Sequence, residues 1–367
     1  MKARTMGKWL VGGAALMASV VAMTSVLQAE SVGNAKVQKA RRTLINLSTL
    51  DQMTVLPGDL GPLPAVPIPA SNPQTPAKIE LGKMLFFDPR LSENDHWSCA
   101  TCHNPSFGYS DGLPRSMGFG DSELGRHSPT VINIAYNSTQ FWDGRAATME
   151  DQATGPIVAS KEMNSDPKQM IAEITDIPFY SQQFKDVFGG PPSMKNVGMA
   201  IASFERTIVT GDSKFDRYAK GDKKALTNQE KRGLTMFISK AACTQCHNGP
   251  NFTDSSFQNL GVPQEGPLAE DLGRYEVTKD PKDKGAFKVP TLRNIAMTPP
   301  YMHTGTFNSL DEVVDFYNKG GGSLPNKSPK ILPLNMNDDE KKDLVAFLKT
   351  LTGELPQVIP PQLPPRS

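Results

Sequence analysis

The 367-residue chain has little of the side chains that most often hold metals: four cysteines and five histidines. It also lacks a charge excess of either sign, with 39 Lys and Arg against 38 Asp and Glu and a formal net charge of +1. That balance argues against nucleic acid or an anionic membrane surface as partner, since both need a strong basic excess. After Val26 no apolar run is long enough to cross a bilayer. Hydrophobic residues make up 38% and charged residues 21%, an ordinary globular composition long enough for two domains with their own cores.

The scarcity of cysteine is informative because of where the four lie. Cys99, Cys102, Cys243 and Cys246 form two CxxC pairs, each followed at once by a histidine, His103 and His247. In an exported chain an even count first suggests disulfides, but two CxxCH motifs that use every cysteine point to c-type haem. Two thiols on one turn reach the two vinyl groups, and the adjoining imidazole meets the iron from the same side. A zinc site is the alternative for one such motif, and rarely for two.

The N-terminus carries the marks of export. Lys2, Arg4 and Lys8 precede an apolar stretch from Trp9 to Val26, and Leu27-Gln28-Ala29 ends on a small residue. Residues 1–29 are thus expected to be a signal peptide cleaved near Ala29, with an uncleaved anchor helix as the alternative. Either way the folded part lies outside the cytoplasm, in the periplasm. Cleavage leaves 36 basic against 38 acidic residues, a net charge of −2.

Residues 30–75 form a Pro-rich lead-in with little periodicity, carrying Pro57, Pro62, Pro64, Pro67, Pro69 and Pro73. Thr75-Pro76 predicts a helix start, with threonine as cap and proline at the first position. Further helical patterns cover 166–175, 179–188 and 194–209. Thr227-Asn-Gln-Glu230 and Asn337-Asp-Asp-Glu340 are capping signatures, the latter opening a helix that ends toward Gly353. The tail, 356–367, holds five prolines and is expected as an irregular strap or a disordered end. The expectation is a mostly α protein in two similar halves, 76–222 and 223–355, divided in the Gly221–Thr227 stretch. The CxxCH motif recurs, but the sequence between motifs does not visibly repeat.

Two haems leave function open until the far faces of the irons are assigned. His96, His127 and His303 are the remaining histidines, and sixteen methionines add indistinct candidates. Composition and spacing do not choose among them.

Other residues carry a resemblance. Leu81-Gly-Lys-Met-Leu-Phe-Phe-Asp-Pro-Arg90, Ser128-Pro-Thr-Val131, Gln140-Phe-Trp-Asp-Gly-Arg145, Gln152-Ala-Thr-Gly-Pro156, Lys161-Glu-Met163, Phe215-Asp-Arg217, Val289-Pro-Thr-Leu-Arg-Asn294 and Pro300-Tyr-Met-His-Thr-Gly305 stand in order along the chain. In these landmarks, from Leu81 to Gly353, the chain resembles bacterial dihaem cytochrome c peroxidases and the related MauG-type enzymes. The resemblance implies two cytochrome c-like haem domains packed against each other. It implies a peroxide-reacting haem on His103 and an electron-transfer haem on His247, each covalently attached. Gln152 and Glu162 match polar residues on the open face of the first haem, with Glu162 moving a proton during O–O cleavage. Trp142 matches a tryptophan between the haems. One calcium ion between the domains is also implied, on backbone oxygens of Thr298 and Pro300, with a third position, usually asparagine, falling on His127.

Two departures favour the MauG-type branch. Where many of the peroxidases carry a removable distal histidine, an ungapped alignment through Trp142 places Phe119, which cannot ligate iron. Where they use methionine at the second haem, this chain has Tyr317, as the MauG-type branch does. A thioether favours reduced iron and a hard phenolate favours oxidised iron. The expected function is therefore oxidation of a protein partner, at a side chain such as tryptophan or tyrosine, by hydrogen peroxide through high oxidation states of iron. A cytochrome c peroxidase fed by a small cytochrome or copper protein, and a non-enzymatic dihaem electron carrier, are the alternatives. The implied partners are peroxide and a periplasmic redox or substrate protein, with the chain a monomer or homodimer.

Overall fold

A computed structural model describes residues 45–268 and 270–366. The expected signal peptide and the first part of the lead-in lie outside the described residues. The described chain is mostly helical, with two short antiparallel strand pairs.

The lead-in contains a helix that its proline content obscured, α1 (Leu47–Gln52), capped by the Asn46 side chain on Ser48 N–H. Next, α2 (Pro76–Phe87) begins where Thr75-Pro76 predicts, with Thr75 accepting from Lys78 N–H. A single turn, α3 (Cys99–Cys102), carries the first cysteine pair. Strands β1 (Met117–Gly118) and β2 (Ser122–Glu123) pair with Met117 opposite Glu123. They are followed by α4 (Met149–Val158), α5 (Pro167–Asp176), α6 (Pro178–Phe188) and α7 (Met194–Glu205).

The second half contains α8 (Lys214–Ala219), α9 (Asn228–Ile238), β3 (Phe257–Gln258), α10 (Tyr275–Thr278), β4 (Phe287–Lys288), α11 (Leu310–Asn318) and α12 (Asp338–Lys349). Both anticipated capping boxes form, Thr227 with Glu230 and Asn337 with Glu340. Helix α7 stops four residues short of the expected 209. The β-branched run Thr207-Ile208-Val209 is a poor continuation, and the Ile208 carbonyl is taken by the Asn133 N–H at 3.0 Å.

Two hydrophobic cores result. In the first, Leu81, Leu85 and Phe86 of α2 pack with Val197, Ile201 and Phe204 of α7. In the second, Leu234 and Phe237 of α9 pack with Leu344, Phe347 and Leu348 of α12. Each helix pair crosses at a glycine. A Cβ on Gly82 would lie 1.8 Å from the Ala200 carbonyl oxygen, and one on Gly233 2.0 Å from that of Asp343. The cores do not divide at residue 222: Leu50, Leu56 and Leu60 of the lead-in, and Phe215 and Tyr218 of α8, all belong to the second.

The halves repeat more than the motifs suggest. Pro129-Thr-Val-Ile-Asn-Ile-Ala135 matches Pro290-Thr-Leu-Arg-Asn-Ile-Ala296, and the match continues without a gap into α4 and α11. Asn133 and Asn294 are both left-handed, each opening a short 3-10 turn. A bridge then pairs Gln140 with Ala146 in one half and Tyr301 with Phe307 in the other. Thr148 caps α4 as Ser309 caps α11. The two asparagines meet at Thr210, whose Oγ1 accepts from Asn133 Nδ2 (3.1 Å) and donates to Asn294 Oδ1 (2.8 Å). The expectation of no visible repeat between the motifs is thus corrected: the repeat begins well after each CxxCH and escapes a comparison anchored on the cysteines.

Candidate active site

Each CxxCH turn closes on itself. His103 N–H donates to the Cys99 carbonyl (2.9 Å) and His247 N–H to that of Cys243 (2.8 Å). Each imidazole is then fixed through Nδ1: His103 to the Tyr109 carbonyl (3.2 Å) and His247 to that of Phe252 (3.0 Å). With Nδ1 engaged, Nε2 is the ring nitrogen left to act as a ligand. Burial lowers both imidazoles from the ordinary histidine value, keeping them neutral. None of the four cysteines forms a disulfide among the described residues, and all four are half-buried.

Both turns line cavities. The first, of about 680 Å³, is bounded by Cys99, Cys102, His103 and a wall from α4 and the segment after it. The second, of about 270 Å³, is bounded by Cys243, Cys246, His247 and a wall from α11. Among the described residues no group of three or more His, Cys, Asp and Glu is placed to hold a metal, which weakens the zinc alternative.

Glu162 and Gln152 both line the first cavity, as does Pro156. Gln152 Oε1 is buried with no described partner. The Glu162 carboxyl lies above the usual range because burial disfavours its charge, with Arg145 opposing. The Phe119 N–H donates to the Glu162 carbonyl (2.9 Å), so the β1–β2 hairpin braces the segment that carries this acid. Ser116, Met117 and Gly118 line the cavity, whereas Phe119 does not. His96 is exposed and lines neither cavity.

Tyr317 lines the second cavity. Burial pushes its hydroxyl up, and the Cys243 and Cys246 thiols nearby push the same way. Trp142 is in the walls of both cavities. Its Nε1–H donates to the His127 carbonyl (2.8 Å), and its own carbonyl accepts from Lys288 N–H (2.7 Å). Arg274 caps the next two carbonyls, Asp143 and Gly144, at 2.9 Å each. Arg126 joins Asp143 (2.7 Å) to Asp271 (2.7 and 2.8 Å), tying the tryptophan loop to the second half.

Comparison with known proteins matches residues 76–224 to the model of the di-haem cytochrome c peroxidase family. The methylamine utilization protein MauG of Methylorubrum extorquens is 44% identical over 82% of this chain and 85% of its own length. The cytochrome c551 peroxidase of Nitrosomonas europaea is 43% identical over 82% of this chain and 88% of its own. Among solved structures, a MauG-like protein associated with microbial copper homeostasis superposes with a TM-score of 0.73 at 31% identity, covering 80% of this chain and 95% of that one.

The chain belongs to the di-haem cytochrome c peroxidase and MauG family. It is an oxidoreductase of the peroxidase type, and membership implies haem c as its cofactor. The residues fit that cofactor: each cavity offers two thiols and one free imidazole nitrogen from a single turn, facing a wall of another helix. They fit the family's calcium less well. The His127 Nδ1 is engaged by the Leu113 carbonyl (2.8 Å) and Nε2 lies 3.4 Å from Ser110 Oγ. Its side chain supplies no oxygen, so the third implied position lacks the hard donor that asparagine would bring. Glu205, a buried acid lining the first cavity, is one that sequence reasoning missed. Its only signal was a charged residue in the apolar stripe of α7.

Proposed function

We propose that this is an exported, periplasmic dihaem enzyme of the MauG-like kind, in which hydrogen peroxide reacts at the haem on His103 and a protein partner is oxidised through a second haem on His247 and Tyr317. The two halves, expected as 76–222 and 223–355 but with α8 and the lead-in packed on the second core, are in this reading two cytochrome c-like haem domains. One observation carries it. In the repeat that relates α4 to α11, Pro156 in the first cavity stands where Tyr317 stands in the second. Proline has no group that can ligate iron, and a phenol has one. The same repeat sets Gln152 against Val313, polar over the first cavity and apolar over the second.

Haem supplies the oxygen-activating and electron-storing chemistry when bound. The chain supplies the rest. Glu162, whose carboxyl burial raises above its ordinary range, takes a proton from one oxygen of peroxide and returns it to the other. Gln152, its oxygen unpartnered, orients the substrate. Trp142 stands in both walls, placed to pass electrons between the cavities. Reduction of one peroxide to two waters takes two electrons and two protons, which a tryptophan or tyrosine of the partner can supply.

A peroxidase that draws electrons from a small cytochrome or copper protein is the second reading, favoured by relatives named as peroxidases. Adding one equivalent of peroxide to the fully ferric protein separates them. Rapid reaction without prior reduction is expected, and a requirement for one-electron reduction first would favour the peroxidase. Electron paramagnetic resonance of the resting protein is expected to give one high-spin and one low-spin haem. Two low-spin signals would instead indicate an electron carrier.

A further inference from the structure

Lys288, on β4, lies in the wall of the second cavity and is 8% exposed. Its backbone is committed to the Trp142 carbonyl, but its ammonium makes no hydrogen bond or ion pair among the described residues. Burial alone pushes the amine down to about 8. Among the described residues, the only acid lining this cavity is Asp271. Both its oxygens are taken by Arg126, and one also accepts from Gly273 N–H. Arg293, another cation of the wall, is itself paired with Asp216 at 2.9 and 3.0 Å. The protein thus buries a cation against an open space and provides no anion for it. Buried charges persist in proteins where a counter-charge meets them, so the counter-charge belongs to whatever fills the cavity.

We propose that Lys288 is the counter-ion of a haem propionate in the second cavity and thereby a positioning residue that sets the potential of that haem. The proposal rests on the cavity holding haem on His247. A propionate is the anionic group that a haem brings with it. A cation beside it favours the ferrous state and so opposes the effect of a phenolate from Tyr317. The placement also links charge to the route between cavities. The backbone N–H of Lys288 holds the Trp142 loop, and its neighbour Phe287 stacks on His303 at 3.5 Å, which in turn meets Trp142 edge-on at 6.3 Å.

The test uses the full-length holoprotein and Lys288→Gln, Lys288→Met and Lys288→Arg. Haem content is measured first. Two haems per wild-type chain establish the underlying reading, and fewer would sink that reading independently of Lys288. Spectroelectrochemical titration should then show the ferrous-to-ferric ratio of the second haem, at fixed applied potential, falling about tenfold in Lys288→Gln, or about 59 mV for one electron. Lys288→Arg should stay near wild type. The resonance Raman propionate-bending band of the second haem should shift in Lys288→Gln, and that of the first should not. If Lys288→Gln does not mature, Lys288→Met carries the same readings. An unchanged potential and an unchanged band in the uncharged variant would overturn the proposal, as would a shift confined to the first haem.

Discussion

Glu162 and Glu205 both line the first cavity, and burial raises both carboxyls, yet their surroundings differ. Glu162 follows α4 on a segment braced by the hairpin, with Arg145 favouring its charge. Removing its proton-carrying oxygen while keeping its shape should slow peroxide activation about 100-fold or more, the usual range for a positioned acid–base group. Stopped-flow mixing of Glu162→Gln with peroxide checks this, and both haems should remain attached. Glu205 ends α7 with Oε2 unpartnered, and burial, with Glu150 nearby, raises its carboxyl to about 8 against the pull of Arg206. The folded state therefore keeps a proton that the unfolded chain loses above about 4.5. This contribution to stability is complete below that value and is lost as pH rises toward 8, with a slope of at most about 1.4 kcal/mol per pH unit. Denaturant unfolding at several pH values from 5 to 8 should show this decline in wild type and a flatter profile in Glu205→Gln. Parallel profiles would mean that Glu205 ionises normally.

At the scale of elements, the glycine at each helix crossing is the position least able to change. In α9, a methyl on Gly233 meets the Asp343 carbonyl and also lies 2.6 Å from the Phe347 Cβ. Gly233→Ala must therefore push α9 from α12, at a cost of about 1–3 kcal/mol by the usual scale of overpacking. The corresponding shift of a urea midpoint checks it, and an unchanged midpoint would mean that the crossing relaxes freely. The helices that sequence patterns located, α2, α5, α6, α7, α9 and α12, each begin at a cap or a proline and bury an apolar face. Those that escaped are of another kind. Helix α4 contains Gly155 and Pro156, α8 is six residues long, and α11 mixes acids with β-branched valines, so local propensity is weak and packing decides. At the site, attachment was legible because covalent chemistry constrains residue type and spacing together. Of the cavity walls, Gln152, Glu162, Trp142 and Tyr317 were legible only through the resemblance, since they meet the attachment turns through tertiary packing, and Glu205 was not legible at all. The relation of Pro156 to Tyr317 was present in the sequence, but only once the Pro-Thr-x-x-Asn-Ile-Ala repeat is used as the anchor.

At the scale of the molecule, the chain does not run simply from one half to the other. The lead-in packs on the second core before the first half begins, with Asp51 accepting from Tyr218 (2.9 Å) and Lys231 (2.8 Å). The Pro-rich tail makes the reverse journey as an irregular strap. Leu355 and Val358 pack on the first core, the Pro364 carbonyl accepts from Arg90 Nη1 (2.8 Å), and Arg366 pairs with Asp95. Asp95 lies four residues before Cys99, so the strap ends beside the first attachment turn. The Arg366–Asp95 pair is largely exposed and contributes about 1 kcal/mol at most. The half-buried Arg90 bond to a carbonyl contributes more, about 1.5–3 kcal/mol as a charge-assisted bond. Truncation after Leu355 should therefore loosen the first half selectively. Hydrogen exchange is the appropriate measurement, because global unfolding averages the two cores. Amides of 88–103 should exchange roughly tenfold or more faster in the truncated holoprotein, the effect of about 1.4 kcal/mol of lost local stability, while those of α12 keep their wild-type rates. Equal acceleration in both segments would instead make the tail a fastener of the whole molecule, and no acceleration in either would reduce it to a passive end.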